Sequence, residues 1–114
     1  MLAHERLDVY RCSIEFFAIA LAVIRKLPRG HSQLADQLRR AAMSIPLNIA
    51  EGAGKTTEAD QRHFYLIARG SAAECSAVLD VANVMEVIDA AEREPGKRLL
   101  ERIVAMLTRM GLAA

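Results

Sequence analysis

Arg40, Ser44 and Asn48 stand four residues apart, and Glu51 follows three later. On a helix this spacing sets a cation, a hydroxyl, an amide and a carboxylate in one row. Such a row can pair charges, hold a polar ligand or satisfy backbone carbonyls. Pro46 interrupts it; that residue has no amide hydrogen and crowds the carbonyl of Ala42. An interior proline costs a helix ~3 kcal/mol and predicts a kink, so packing must offset the loss. The stretch is helical in pattern all the same, because Leu38, Ala41, Ala42, Ile45 and Ile49 recur at three- and four-residue spacing. Arg69 and Glu74 lie on the next helical segment, across a short turn. We read Arg40, Ser44, Asn48, Glu51, Arg69 and Glu74 as a structural polar network, because partly buried charges are normally paired. Arg40 is expected to pair with Glu51 or Glu74. Asn48 is expected to satisfy carbonyls freed by Pro46.

Other candidate chemistry is weaker. Gly54-Lys55-Thr56 imitates the end of a phosphate-binding loop, but Ile49 stands where that pattern needs a glycine. A helix also precedes it, where the loop requires a strand. Asp60 and His63 share a helix face, with Glu58 nearby. A metal would need further ligands, from His4 or His31. A solvated first helical turn explains the same residues, since acids are favourable there. Ser44 and Ser71 fall within helices and not on a strained strand-to-helix turn. The chain reads as a non-enzyme, with no cofactor and no metal.

The elements that must position these residues are helices. At 114 residues the chain suits one domain, residues 1–114, able to bury a core without disulfides or metals. Helix 1 is expected over about residues 4–27, ended by Pro28 and Gly30. Two apolar rows mark it: Leu7, Tyr10, Ile14, Phe17, Leu21 and Ile24, then Cys12, Phe16, Ile19, Val23 and Leu27. Helix 2 is expected from a Ser32 cap to about Glu51, ended by Gly52 and Gly54. Helix 3 opens on Thr57-Glu58-Ala59-Asp60, a loose capping box, and is expected to reach about Asp89. It too has two rows, one of Phe64, Ala68, Ser71, Cys75, Val78, Ala82 and Met85, the other of Leu66, Gly70, Ala73, Ala77, Val81, Val84 and Ile88. Helix 4 is expected to begin near Pro95. Short connections between long helices predict an all-α, antiparallel up-down-up-down bundle.

A monomeric bundle needs one apolar stripe per helix. The doubled rows of helices 1 and 3 therefore predict a second buried surface and a homo-oligomer. The longest apolar run, Phe16 to Ile24, is far short of the ~20 residues of a spanning helix, so no membrane is expected. Cys12 and Cys75 lie in apolar patterns and read as reduced, cytoplasmic packing residues. Formal net charge is only +1, which argues against a strongly basic nucleic-acid binder. Charge is nevertheless uneven. Arg25, Lys26, Arg29, Arg39 and Arg40 face Asp36 alone in their segment, and Lys97, Arg98 and Arg102 cluster near the end of the chain. Of these, Arg25, Lys26, Arg29, Arg39, Lys97, Arg98 and Arg102 are the candidate phosphate contacts for RNA or DNA. Six acids between Glu74 and Glu94 are expected near the same end of the bundle.

Arg40, Ser44, Ile45, Pro46, Asn48, Glu51 and Gly52 form one motif; Arg69, Gly70, Ser71 and Glu74 form another. With Asp60 and the run Phe64 to Glu74, they make the chain resemble the four helix bundle protein family, also called the S23 or 23S rRNA intervening-sequence proteins. The resemblance implies a ring-like homopentamer. It extends to the accessory variability determinant of diversity-generating retroelements, a basic pentameric barrel that binds nucleic acid and reverse transcriptase. The expected role is thus a nucleic-acid-binding or RNA-associated accessory protein. The alternative is an oligomeric scaffold that binds another protein.

Overall fold

The computed structural model of the protein describes residues 1–112. A short 3-10 turn, Ala3–Arg6, precedes four α-helices: α1 (Asp8–Lys26), α2 (Ser32–Ala53), α3 (Glu58–Val84) and α4 (Ala90–Gly111). Successive helices pack as neighbours, and α1 closes the ring of four against α4. The result is an all-α four-helix bundle measuring 45 × 22 × 20 Å. Its core interleaves Phe16 of α1, Ile45 and Ile49 of α2, Leu79 of α3 and Leu100, Ile103 and Leu107 of α4, all almost fully buried. Ala42, Ala68 and Ala72 are also fully buried, and these short side chains bring α2 and α3 together in the most extensive helix contact.

The caps differ from expectation at several ends. Helix α1 starts at Asp8 because Leu7 is extended and breaks it from the 3-10 turn. His31, not Ser32, is the N-cap of α2, and it makes no side-chain cap hydrogen bond. Thr57 caps α3 as expected; its hydroxyl accepts from the Asp60 amide at 3.2 Å. Helix α3 stops at Val84, short of Asp89, where Glu86 adopts the left-handed conformation at φ 60°. The amide of Val87 donates to the Ala82 carbonyl at 3.1 Å and that of Glu86 to Asn83 at 3.0 Å. These bonds form a Schellman motif with glutamate at the position that usually holds glycine. Asp89 then caps α4 in a reciprocal box with Glu92. Pro95 therefore sits inside α4 and not at its first position. The carbonyl it frees belongs to exposed Ala91, which water can satisfy.

Pro46 also lies within an unbroken helix. Gly52 is not a terminator: it is buried in α2, and a Cβ there would stand 2.8 Å from Tyr65 Cε1. Only a glycine lets the end of α2 approach α3 this closely. The helix ends at Gly54.

The two surplus apolar rows have different fates. On α1 the row is mostly half-buried: Leu7, Tyr10, Phe17 and Ile24 pack against the core, and Ile14 alone is an exposed large hydrophobic. On α3, Leu66, Val81 and Val84 remain exposed, as do Gly70, Ala73 and Ala77. No helix among the described residues is long and apolar enough to cross a membrane.

Candidate functional site

Helix α2 turns its polar row toward α3. Ser44 and Ser71 place their hydroxyl oxygens 2.8 Å apart across the junction. Asn48 Nδ2 donates to Ser44 Oγ at 2.9 Å and to the Ser44 carbonyl at 2.8 Å. It does not reach Ala42, whose carbonyl Pro46 deprives of its usual donor. Farther along the junction, Gln37 Nε2 donates to Glu74 Oε2 at 2.9 Å. Gln37, Arg40, Ala41, Ser44, Ser71 and Glu74 line a groove of about 330 Å³.

Only part of the expected network meets here. Arg40 is exposed, and it makes no ion pair or side-chain hydrogen bond among the described residues. Glu51 pairs with Lys55 at 3.2 Å, one turn away. Arg69 points to the other side of α3, where it donates to Thr108 of α4 at 3.4 Å. The physical reason is angular. Arg69 lies two residues from Ser71, so a 3.6-residue helix cannot present both to the same neighbour. Gln37 was missed in the sequence, although it continues the row of Arg40 and Ser44 backward. Extending that row by one turn would have found it.

The opposite groove, between α3 and α4, holds a stronger ion cluster. Lys97 Nζ reaches both oxygens of Asp80, at 2.9 and 3.0 Å, and Ser76 Oγ at 2.6 Å. Arg93 adds a contact to Asp80 at 3.2 Å. Asp80 and Ser76 give no motif signal; the i, i+4 spacing from each to the other is their only mark.

The candidate phosphate-binding cations divide in two. Arg39 pairs with Asp36 at 3.1 Å, Lys97 with Asp80, and Arg98 with Glu94 at 3.2 Å. Arg25, Lys26, Arg29 and Arg102 are exposed and make no ion pair among the described residues. The first three lie where α1 turns into α2. Met85, at the end of α3, shares a depression with Gly30, His31 and Leu34 of that turn. The acidic α3–α4 connection therefore stands beside this basic end.

The remaining signals resolve locally. Lys55 lies 5.2 Å from the centroid of the Phe64 ring, and its carbonyl accepts from Gln61 at 3.0 Å. The Gly54-Lys55-Thr56 segment thus forms a helix end. His63 packs edge-to-face on Phe64, with centroids 5.1 Å apart. No three metal-ligating side chains gather among the described residues. Cys12 and Cys75 are buried free thiols. Burial, with a smaller contribution from the Glu74 charge, pushes the Cys75 thiol up to about 12.

A solved protein of unknown function from the S23 ribosomal protein family of Bacteroides thetaiotaomicron shares this fold, with a TM-score of 0.84. It is 22% identical, over 92% of this chain and 99% of its own. No curated protein matches the sequence. The family model of the 23S rRNA-intervening sequence protein matches residues 5–109. Four helices in this order, together with a match across nearly the whole sequence, place the chain in one group: it belongs to the 23S rRNA-intervening sequence protein family.

Proposed function

We propose that the protein is a non-enzymatic homo-oligomer, a pentamer, that associates with RNA as an accessory protein. The observation that carries the oligomer is the outer face of α3, where Leu66, Val81 and Val84 stay exposed beside Gly70, Ala73 and Ala77. A soluble monomer rarely leaves such a row to water. The family description ties its members to a 23S rRNA intervening sequence, which motivates RNA as the partner class to test. Arg25, Lys26 and Arg29 are the cations free to meet phosphate, joined by Arg102. Repetition around a ring multiplies a modest patch into a multivalent one.

Such binding is electrostatic and reads phosphate before bases. Salt-titrated fluorescence anisotropy tests it, with structured RNA, single strands and duplex DNA. Affinity falls steeply with salt, and neutralising Arg25, Lys26 and Arg29 together weakens all sequences alike. Absence of binding at ~50 mM salt, where screening is weak, overturns the RNA reading. One observation favours a protein-binding scaffold instead. Asp36, Asp80 and Glu94 engage Arg39, Lys97 and Arg98, which thins the positive patch.

A further inference from the structure

The α2–α3 groove holds more hydrogen-bonding capacity than it uses. Two other helical hydroxyls return to their own backbone: Ser13 donates to the Tyr10 carbonyl at 2.6 Å and Thr108 to the Val104 carbonyl at 2.7 Å. Neither Ser44 nor Ser71 does so. Asn48 Nδ2 is only a donor, so Ser44 Oγ must accept from it. A single hydroxyl hydrogen fills the Ser44–Ser71 contact, whichever serine supplies it. The second hydroxyl hydrogen has no acceptor among the described residues. Arg40 stands on the same wall, also without an acceptor. Across from it, Glu74 uses one oxygen for Gln37 and leaves Oε1 without a donor. Spare donors thus face a spare acceptor.

The opposed charges of Arg40 and Glu74 cancel. The groove therefore suits a neutral, flat ligand that presents a carbonyl beside N–H groups, and not a simple anion. We propose that it binds the Watson–Crick edge of a guanine base. The carbonyl O6 accepts from Arg40 and the spare serine hydroxyl, while N1–H and N2–H donate to Glu74. Other bases fit less well. Adenine sets the lone pair of N1 against the carboxylate. Uracil flanks its one N–H with two carbonyls. Cytosine places the lone pair of N3 beside Glu74. Because the edge must be unoccupied, the base comes from an unpaired loop or from a free nucleotide, not from a duplex. The loop version rests on the RNA reading above.

The test uses RNA hairpins that differ at one unpaired loop residue: G, inosine, A, C or U. Anisotropy at fixed salt is expected to show the G loop bound at least about ten-fold more tightly than A, C or U. Inosine, which lacks the N2 amine, falls between. Glu74→Gln is expected to abolish the preference, so that the G and A loops bind with equal affinity. Thermal melting of Glu74→Gln, expected to match the parent, separates this from misfolding. A parallel arm adds guanosine monophosphate to isotope-labelled protein and follows the Ser44 and Ser71 amide resonances. Equal affinity for all five loops, without response to the nucleotide, overturns the guanine site and leaves the RNA reading standing. Shifts with guanosine but not adenosine monophosphate, with no hairpin bound, uphold the site for free nucleotide and overturn RNA. Silence in both arms overturns both.

Discussion

Helices α3 and α4 lie side by side, yet their outer faces follow opposite rules. Helix α4 presents Glu94, Arg98, Glu101, Arg102 and Arg109 to solvent, and no large hydrophobic residue is exposed along it. Between Leu66 and Val84, α3 exposes Leu66, Ile67, Val81 and Val84, and its charges there are exposed Glu74, half-exposed Asp80 and partly buried Arg69. Both helices bury a full stripe inward, so the fold needs neither outer face. A charged face stays wet at little cost, whereas an apolar one is more stable when covered. The difference makes α3, and not α4, the face that the proposed oligomer would cover.

The sharpest way to break this comparison is to charge each face in turn. Val81 is 49% exposed in the single chain, so Val81→Asp should leave the bundle folded. It should also take the particle from ~60 kDa, the expected pentamer mass, down to the single-chain mass by light scattering. The reversal Arg102→Asp on α4 should leave the mass unchanged. Equal responses would remove the distinction between the faces.

The next effect lies in the seam between the two helices. Lys97 has a side-chain exposure of only 22% and, with Arg93, depends on Asp80. Asp80→Asn should lower stability by ~1–2 kcal/mol in urea titration, between the values for exposed and buried pairs. No change in midpoint would show that packing alone joins α3 to α4. The turn that reverses α3 into α4 offers a gain. Glu86 holds a left-handed conformation that costs an L-residue ~1 kcal/mol, so Glu86→Gly should raise the melting temperature by several degrees. A lower melting temperature would mean that the carboxylate itself supports the turn. The smallest effect belongs to Arg40. Its guanidinium is exposed without a partner carboxylate, so Arg40→Ala should change stability by less than ~0.5 kcal/mol. A loss of ~3 kcal/mol would restore a buried pair.

Much of the fold was legible because helices announce themselves by period. Thr57 marks the start of α3, and the rows through Phe16 and Val23 of α1 and through Ile45 and Ile49 of α2 run into the core. The α3–α4 break was not legible, because its left-handed residue is Glu86 and no glycine flags it. Pro95 then suggests a helix start five residues late, since proline suits a first turn but is also tolerated slightly deeper. At the polar groove, Ser44 and Asn48 share a row in the sequence and a hydrogen bond in the structure. Pairing of charges across helices was harder to see. Whether Arg40 meets Glu74 depends on the rotation of α2 against α3, which the buried alanines Ala42, Ala68 and Ala72 set and no polar residue reveals.

Cys75 gives the molecule a clock. Its side chain is wholly buried, and its thiol is held up at about 12 against an ordinary value of 9.0. Native protein should therefore resist alkylating reagents at neutral pH, and each labelling event should count one opening of the bundle. The same shift sets a pH window. Below about pH 9 the thiol is neutral in both folded and unfolded chains and contributes no slope. Between about 9 and 12 only the unfolded chain ionises, so stability falls as pH rises. Tyr65, raised by burial in the same sense, steepens the fall above its ordinary 10.0. Labelling rates should climb through that window faster than the thiolate fraction of a free cysteine does, and the excess measures how readily α3 leaves its neighbours.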